Sequence, residues 1–97
     1  MALEHPRVLE AVNTLADRGV SVVTLISDLS NSRRVSYVCI DNRAAGRTAG
    51  YLLGRFIGSR RGQIAIIAGS LSYRAHEERE MGFRHILREI FSDVSAV

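Results

Sequence analysis

Apolar and polar positions along this chain follow two patterns, which together predict three helices and three strands. In the helical segments apolar residues recur every three or four positions, whereas three short segments are almost continuously apolar, as strands buried on both faces of a parallel sheet are. The predicted order is a helix over 6–16, strands over 20–26 and 35–40, a helix over 43–57, a strand over 63–68 and a helix over 75–91. We interpret residues 92–97 as a frayed or cut end.

This order predicts an α/β fold, specifically a three-layer sandwich with a mostly parallel three-stranded sheet. Ninety-seven residues allow one small domain. Three strands make a thin sheet, and a chain of this size covers both faces and both edges of it with difficulty. We therefore expect either a fragment of a larger domain or a chain that self-associates, for example as a dimer.

The second predicted helix and the residues before it carry two kinds of signal. Gly46, Gly50 and Gly54 lie on one side of it, four residues apart. Each glycine costs about 1 kcal/mol against alanine in a helix interior, so close packing of the helix backbone should compensate. Asp41 and Asn42 are interpreted as capping residues, because their side-chain oxygens can accept hydrogen bonds from the first free amides of the helix.

Composition and charge argue against several classes of protein. The net charge is +3 and every basic residue is arginine, but the arginines are spread among glutamates, so a nucleic-acid-binding face is not expected. No segment approaches the roughly 20 apolar residues that cross a bilayer, and no secretory signal is recognisable. The chain is therefore expected to be soluble, unexported and without membrane contact. Cys39 lies in an apolar strand and is interpreted as a core residue.

Candidate ligand-binding residues lie where predicted strands end, because ligands of open α/β sheets bind beyond the carboxyl ends of the strands. Ser72 and Tyr73 follow the third strand, and Arg79 lies early in the last helix. Arg79 has glutamates on both sides in sequence and fits either a solvated ion pair or a ligand contact. Asp28 follows the first strand and fits either an Asx-type turn or a carboxylate that accepts hydrogen bonds from ligand hydroxyls.

Signs of catalysis or metal binding are weak. No nucleophile can be paired with a base and an orienting acid, and no glycine-rich phosphate fingerprint is present. His5, His76 and His85 are far apart in sequence and the chain has a single cysteine, so no metal site is expected. An α/β enzyme that binds phosphate at the Gly69-Ser70 loop is the weakest hypothesis, and we expect neither catalysis nor a cofactor.

Three features occur in combination: Asp41-Asn42 before the glycine-containing helix, Gly69-Ser-Leu-Ser72, and Arg79-Glu-Met-Gly-Phe83. In this combination, nearly the whole chain resembles the effector-binding domain of bacterial lactose/galactose repressor (LacI/GalR) type transcriptional regulators, which has the periplasmic binding protein type I fold. The resemblance implies two α/β lobes with a small effector between them. It implies that residues 1–34 come from the first lobe, 35–41 form a crossover strand and 42–97 come from the second lobe.

The resemblance also implies roles for residues. Arg79 matches the family arginine that hydrogen-bonds the effector, and Asp28 matches an acidic residue at the cleft. Tyr73 and Ala75 fall where members vary with the effector, and Ser72 lies beside them. The implied effector is a sugar or a purine-like molecule. A helix-turn-helix headpiece is not found in these residues, so contact with DNA is expected only through a headpiece that this chain does not contain.

Two functions follow from this resemblance. The first is part of the effector-binding domain of a cytoplasmic transcriptional regulator, in which ligand-dependent lobe closure controls DNA binding. The alternative is a fragment of a periplasmic sugar-binding protein of a transport system. A helix-turn-helix upstream would favour the first hypothesis and a signal peptide upstream would favour the second.

Overall fold

Three helices and four short strands make up the computed structural model of this chain, which describes residues 1 to 97. In chain order the elements are α1 (Pro6–Asp17), β1 (Val23–Leu25), β2 (Ser36–Val38), α2 (Asn42–Ile57), β3 (Gly62–Ile64), α3 (Arg74–Ile90) and β4 (Val94–Ala96). The three predicted helices are confirmed to within one residue at each end. None of these helices has the length and apolar character that crossing a bilayer requires.

Local sequence signals account for the helix boundaries. Pro6 occupies the first turn of α1, and the Nδ1 atom of His5 accepts a hydrogen bond from the amide of Arg7 at 3.1 Å. Proline suits this position because the first amides of a helix have no partner within it. Gly19 follows α1 with φ 78° and Gly58 follows α2 with φ 70°, so both helices end at residues that tolerate a left-handed backbone.

The strands form two parallel two-stranded sheets, β1 with β2 and β3 with β4. The α/β class and the parallel pairing are confirmed, and the structure does not show the single three-stranded sheet. The three-layer arrangement stays a prediction. Residues 92–97 were expected to be frayed, but β4 pairs with β3 in the register Gly62↔Val94. The pairing continues past β3, because Val97 donates to the carbonyl of Ile64 at 2.9 Å and accepts from Ile66 at 3.0 Å.

The chain divides into two compact units. One consists of residues 1–40 and 70–75, and the other of residues 41–69 and 76–97. The main chain therefore passes from one unit to the other after residues 40, 69 and 75. The division of the chain between two lobes of a larger domain, 1–34, 35–41 and 42–97, stays a prediction.

In the first unit, β1 is not buried on both faces as its apolar sequence suggested. Val23 and Leu25 are about half exposed, and the buried residue between them is Thr24. Cys39, expected in the core, is exposed, as is Val38 before it. The physical reason is that no element of this chain covers the sheet face that carries Val23, Leu25 and Val38.

In the second unit, the backbones of α2 and α3 are in direct contact. Gly46, Gly50 and Gly54 are buried. A Cβ atom at Gly46 would overlap the carbonyl oxygen of Arg79, and one at Gly50 would lie 2.5 Å from Cγ2 of Ile86. On α3, a Cβ atom at Gly82 would overlap the carbonyl oxygen of Arg43. The predicted close packing at the glycines of α2 is confirmed.

Candidate ligand-binding site

The crossing of α2 and α3 sets the position of Arg79. Its carbonyl oxygen lies against Gly46, and its side-chain Nε donates a hydrogen bond to Oδ1 of Asn42 at 2.8 Å. Asn42 is the first residue of α2 and is 1% exposed. Arg79 itself is exposed, so its guanidinium is held from the buried side and reaches solvent on the other.

Asn42 and Asp41 have different roles, although both were interpreted as caps. The Oδ1 atom of Asp41 accepts from the amide of Ala44 at 2.9 Å, and the backbone of Asp41 is extended, as that of a residue preceding a helix is. The cap is therefore Asp41, whereas Oδ1 of Asn42 accepts from Arg79. No local pattern signals this pair, because its members are 37 residues apart in sequence.

A cleft of about 490 Å³ lies in the same unit as Arg79. Its lining is mostly apolar, and His76, Arg79 and Glu80 from the early turns of α3 supply the charged and titratable side chains. The ring of His76 lies close to Gly69, where a Cβ atom would be 2.9 Å from Cε1. An apolar cleft with a few polar groups is the usual composition of a small-molecule site.

Asp28, in the other unit, has protein donors on both carboxylate oxygens. It is 5% exposed; Thr24 Oγ1 donates to its Oδ1 at 3.0 Å, and Arg34 donates through Nε to Oδ1 and through Nη2 to Oδ2 at 2.8 Å. The Arg34 guanidinium lowers the pKa of the Asp28 carboxyl below its ordinary value of 3.8, against the opposing effect of burial. Asp28 in turn raises the pKa of Arg34.

This bidentate pair gives Asp28 a structural role that differs from the Asx-type turn offered by the sequence. Arg34 and Asp28 close the loop that follows β1, and the guanidinium carbon of Arg34 lies 5.9 Å from the centre of the Tyr37 ring, within the range of a cation–π contact. Since each carboxylate oxygen already accepts from the protein, a ligand hydroxyl would have to share them. Contact of Asp28 with a ligand stays a prediction.

Ser72, Tyr73 and Ala75 belong to the same unit as Asp28. Ser72 is exposed, its carbonyl accepts from the amide of Glu4 at 2.9 Å, and the amide of Tyr73 closes a turn with the carbonyl of Ser70 at 3.2 Å. Ala75 is 1% exposed and its amide donates to Oγ of Ser27 at 3.4 Å. Arg79, in contrast, belongs to the second unit.

Within the chain, no group of three or more His, Cys, Asp or Glu side chains is placed to hold a metal ion. The cleft beside Arg79 is lined by apolar side chains together with His76, Arg79 and Glu80. Such groups recognise polar organic molecules by hydrogen bonding and stacking.

Comparison with known proteins agrees with this fold. A model of the periplasmic binding protein domain family matches residues 1–97, and no curated protein matches the chain significantly. GanP, a glucose-galactose binding protein from Geobacillus stearothermophilus, is 33% identical with a TM-score of 0.84 over 98% of this chain and 33% of its own. The XylFII molecule is 30% identical with a TM-score of 0.82 over 99% of this chain and 35% of its own.

A third solved structure is the periplasmic component of an ABC-type sugar transport system from Hahella chejuensis. It is 26% identical with a TM-score of 0.81, over 91% of this chain and 33% of its own. This chain thus spans about one third of the length of the solved structures it matches.

Proposed function

This chain belongs to the periplasmic binding protein domain family, and we propose that it forms part of a domain that binds a sugar for a transport system. The observation that carries the proposal is the similarity to a glucose-galactose binding protein over nearly the whole chain. The similar structure from a sugar transport system supports the same assignment. Because the chain spans about one third of these proteins, the activity of the whole protein is part of the proposal.

The regulator hypothesis shares the fold and the ligand class but adds a DNA-binding headpiece and a cytoplasmic location. None of the solved structures named above is described as a lactose/galactose repressor type regulator. The comparisons therefore favour the transport alternative over the regulator hypothesis. Transcription regulation, cytoplasmic location and the absence of catalysis stay predictions.

Arg79 is the residue proposed to donate hydrogen bonds to the sugar. A guanidinium has five N–H donors in a planar fork, and the bond to Asn42 uses only the one on Nε. Sugar hydroxyls accept from such donors, while their apolar faces stack on aromatic rings. Tyr73 is proposed to supply such a ring.

The proposal is tested by isothermal titration calorimetry of this chain and of the full protein that carries it. The titrants are glucose, galactose, arabinose and fructose, with adenine for the purine-like alternative. We expect one monosaccharide to bind the full protein, and Arg79→Ala to weaken it by about tenfold or more, as loss of hydrogen bonds to a charged group does. Arg88→Ala is the matched control, because Arg88 is an exposed arginine of α3 outside the cleft lining.

Two results would overturn the proposal. If no monosaccharide binds the full protein, sugar binding is wrong, and if Arg79→Ala binds as tightly as wild type, the assignment of Arg79 is wrong. Sugar-dependent release of DNA by the full protein would overturn the transport role and establish the regulator hypothesis in its place.

A further inference from the structure

Asn42 is the most deeply buried amide side chain near the proposed site. It is one of the three largest fully buried side chains of the chain, together with Leu87 and Ser27. Burying an amide costs free energy unless its polar atoms are bonded. Because Asp41 already caps α2, the start of that helix does not require an amide at position 42. The burial of Asn42 therefore needs another explanation.

The frame around Asn42 fixes the backbone of Arg79. The carbonyl of Arg79 lies against Gly46, and the carbonyl of Arg43 lies against Gly82. These two reciprocal contacts leave no room for side chains between the crossing helices. The main chain of Arg79 is thus held at a fixed place relative to the first turn of α2, which contains Asn42.

The hydrogen bond from Nε then restricts the remaining freedom of the arginine. A free arginine side chain loses conformational entropy when a ligand orders it. A guanidinium whose Nε is bonded to a buried amide has part of that entropy removed before the ligand arrives. Ordering a group in advance raises affinity by lowering the cost of binding.

The pair of Asn42 and Arg79 also differs in chemistry from the pair of Asp28 and Arg34 in the other unit. Arg34 meets a carboxylate through two nitrogens, which compensates its charge. Asn42 is neutral and binds Arg79 through one nitrogen, so this bond does not compensate the charge of Arg79. A neutral partner on one edge suits an arginine whose other donors serve a second molecule.

We propose that Asn42 is a positioning residue for ligand binding, which holds Arg79 by its Nε so that the other donors meet the hydroxyls of a monosaccharide. This inference rests on the proposed function, since it concerns the same site. It adds a residue that acts on the ligand through Arg79 rather than by direct contact.

The pair itself is tested without any ligand, by NMR of this chain labelled with ¹⁵N. We expect the Nε–H proton of Arg79 to exchange with water about tenfold faster in Asn42→Leu, the effect of losing one hydrogen bond of ordinary strength. Asn42→Asp keeps an oxygen acceptor and should retain slow exchange. Equal exchange rates in wild type and Asn42→Leu would overturn the pair, and thermal melting of each variant checks that it is folded.

The positioning role is tested by calorimetry of the full protein with the monosaccharide it binds. We expect Asn42→Leu to weaken sugar binding by about tenfold, and Asn42→Asp to bind the sugar about as tightly as wild type. In the Arg79→Ala background, adding Asn42→Leu should cause no further loss of affinity. A residue that only stabilises the fold would instead give additive losses, and unchanged affinity in Asn42→Leu would equally overturn the role. Should Asn42→Leu fail to fold, Asn42→Ala removes the same acceptor without adding apolar bulk and should lose comparable affinity.

Failure of this inference is distinguishable from failure of the proposed function. If the wild-type full protein binds no sugar while the exchange experiment detects the pair, sugar binding is wrong and Asn42 has a purely structural role. If sugar binds and Asn42→Leu leaves the affinity unchanged, the proposed function stands and the positioning role is wrong.

Discussion

Single residues in this chain differ in how their charge is compensated. Asp28 and Arg34 form a bidentate pair in which the carboxylate is buried and the guanidinium is partly exposed. Asp17 and Arg33 form a pair in which both side chains are more than half exposed. Surface pairs contribute little to stability, because water and salt screen them, whereas a buried carboxylate depends on its partners.

We predict that Asp28→Asn lowers the free energy of unfolding by about 1.5–3 kcal/mol at pH 7, because charge-assisted hydrogen bonds to a buried carboxylate are lost. Asp17→Asn is the matched control and should change it by about 1 kcal/mol or less. Urea unfolding of the three proteins measures both values. Equal effects of the two substitutions would contradict the structural role of the Asp28 pair.

The same pair predicts a pH dependence. The pKa of Asp28 is lowered in the folded chain, mainly by its hydrogen bonds to Arg34. The stabilisation is therefore complete above the ordinary value of 3.8, and it is lost as the pH falls through the folded value. The difference in stability between wild type and Asp28→Asn should accordingly shrink as urea unfolding is repeated below that pH. A difference that stays constant into acid would contradict the pKa direction.

At the scale of elements, the crossing of α2 and α3 depends on glycines. We predict that Gly46→Ala lowers the free energy of unfolding by about 3 kcal/mol or more, because the added methyl group would overlap the backbone of Arg79. The same substitution in an exposed helix interior would be stabilising by up to about 1 kcal/mol. Thermal and urea unfolding measure the change.

Gly54→Ala is the comparison within the same helix. Its Cβ atom would lie 2.5 Å from Cδ2 of Phe91, an aromatic side chain that can rotate, rather than a fixed backbone. The loss of stability should therefore be smaller than for Gly46→Ala. Gly46→Ala with wild-type stability would show that the two helices do not approach as closely as the structure places them.

The elements that sequence predicted well are those with local signals. The helices carry apolar spacing, Pro6 at the start of α1 and Gly58 after α2, so their limits could be predicted to within one residue. β4 could not be predicted, because its three residues depend on pairing with β3 rather than on their own pattern. The hydrogen bond between Asn42 and Arg79 could not be predicted either, because the two residues are 37 positions apart in sequence.

At the scale of the whole molecule, apolar sequence proved a poor guide to burial. Val23 and Leu25 of β1 are exposed on one face, and the strand pairing places Val38 beside Leu25 on that face. An apolar strand pattern indicates which side chains are suited to burial, but they are buried only where another element covers that face of the sheet. This chain spans about one third of the length of its structural relatives, and the apolar face of β1 and β2 is uncovered within it.

The uncovered face of β1 and β2 supports the expectation that this chain self-associates. The thin sheet predicted from the sequence led to the same expectation. Burial of exposed valine and leucine side chains is favourable by about 25 cal/mol per Å², and exposed sheet edges provide unpaired backbone groups for a second copy. We predict a mass that rises with concentration in sedimentation velocity. Val38→Lys should reduce association, because a lysine there opposes pairing at the edge and burial of the face.

Val38→Leu is the matched control and should associate like wild type, since it keeps an apolar side chain at the same position. Val38 is 58% exposed, so neither substitution should change the unfolding transition of the monomer appreciably. A monomeric mass for wild type at every concentration would contradict the prediction. It would mean that the exposed apolar face is tolerated in water, and that pairing of only two strands suffices for this part of the chain.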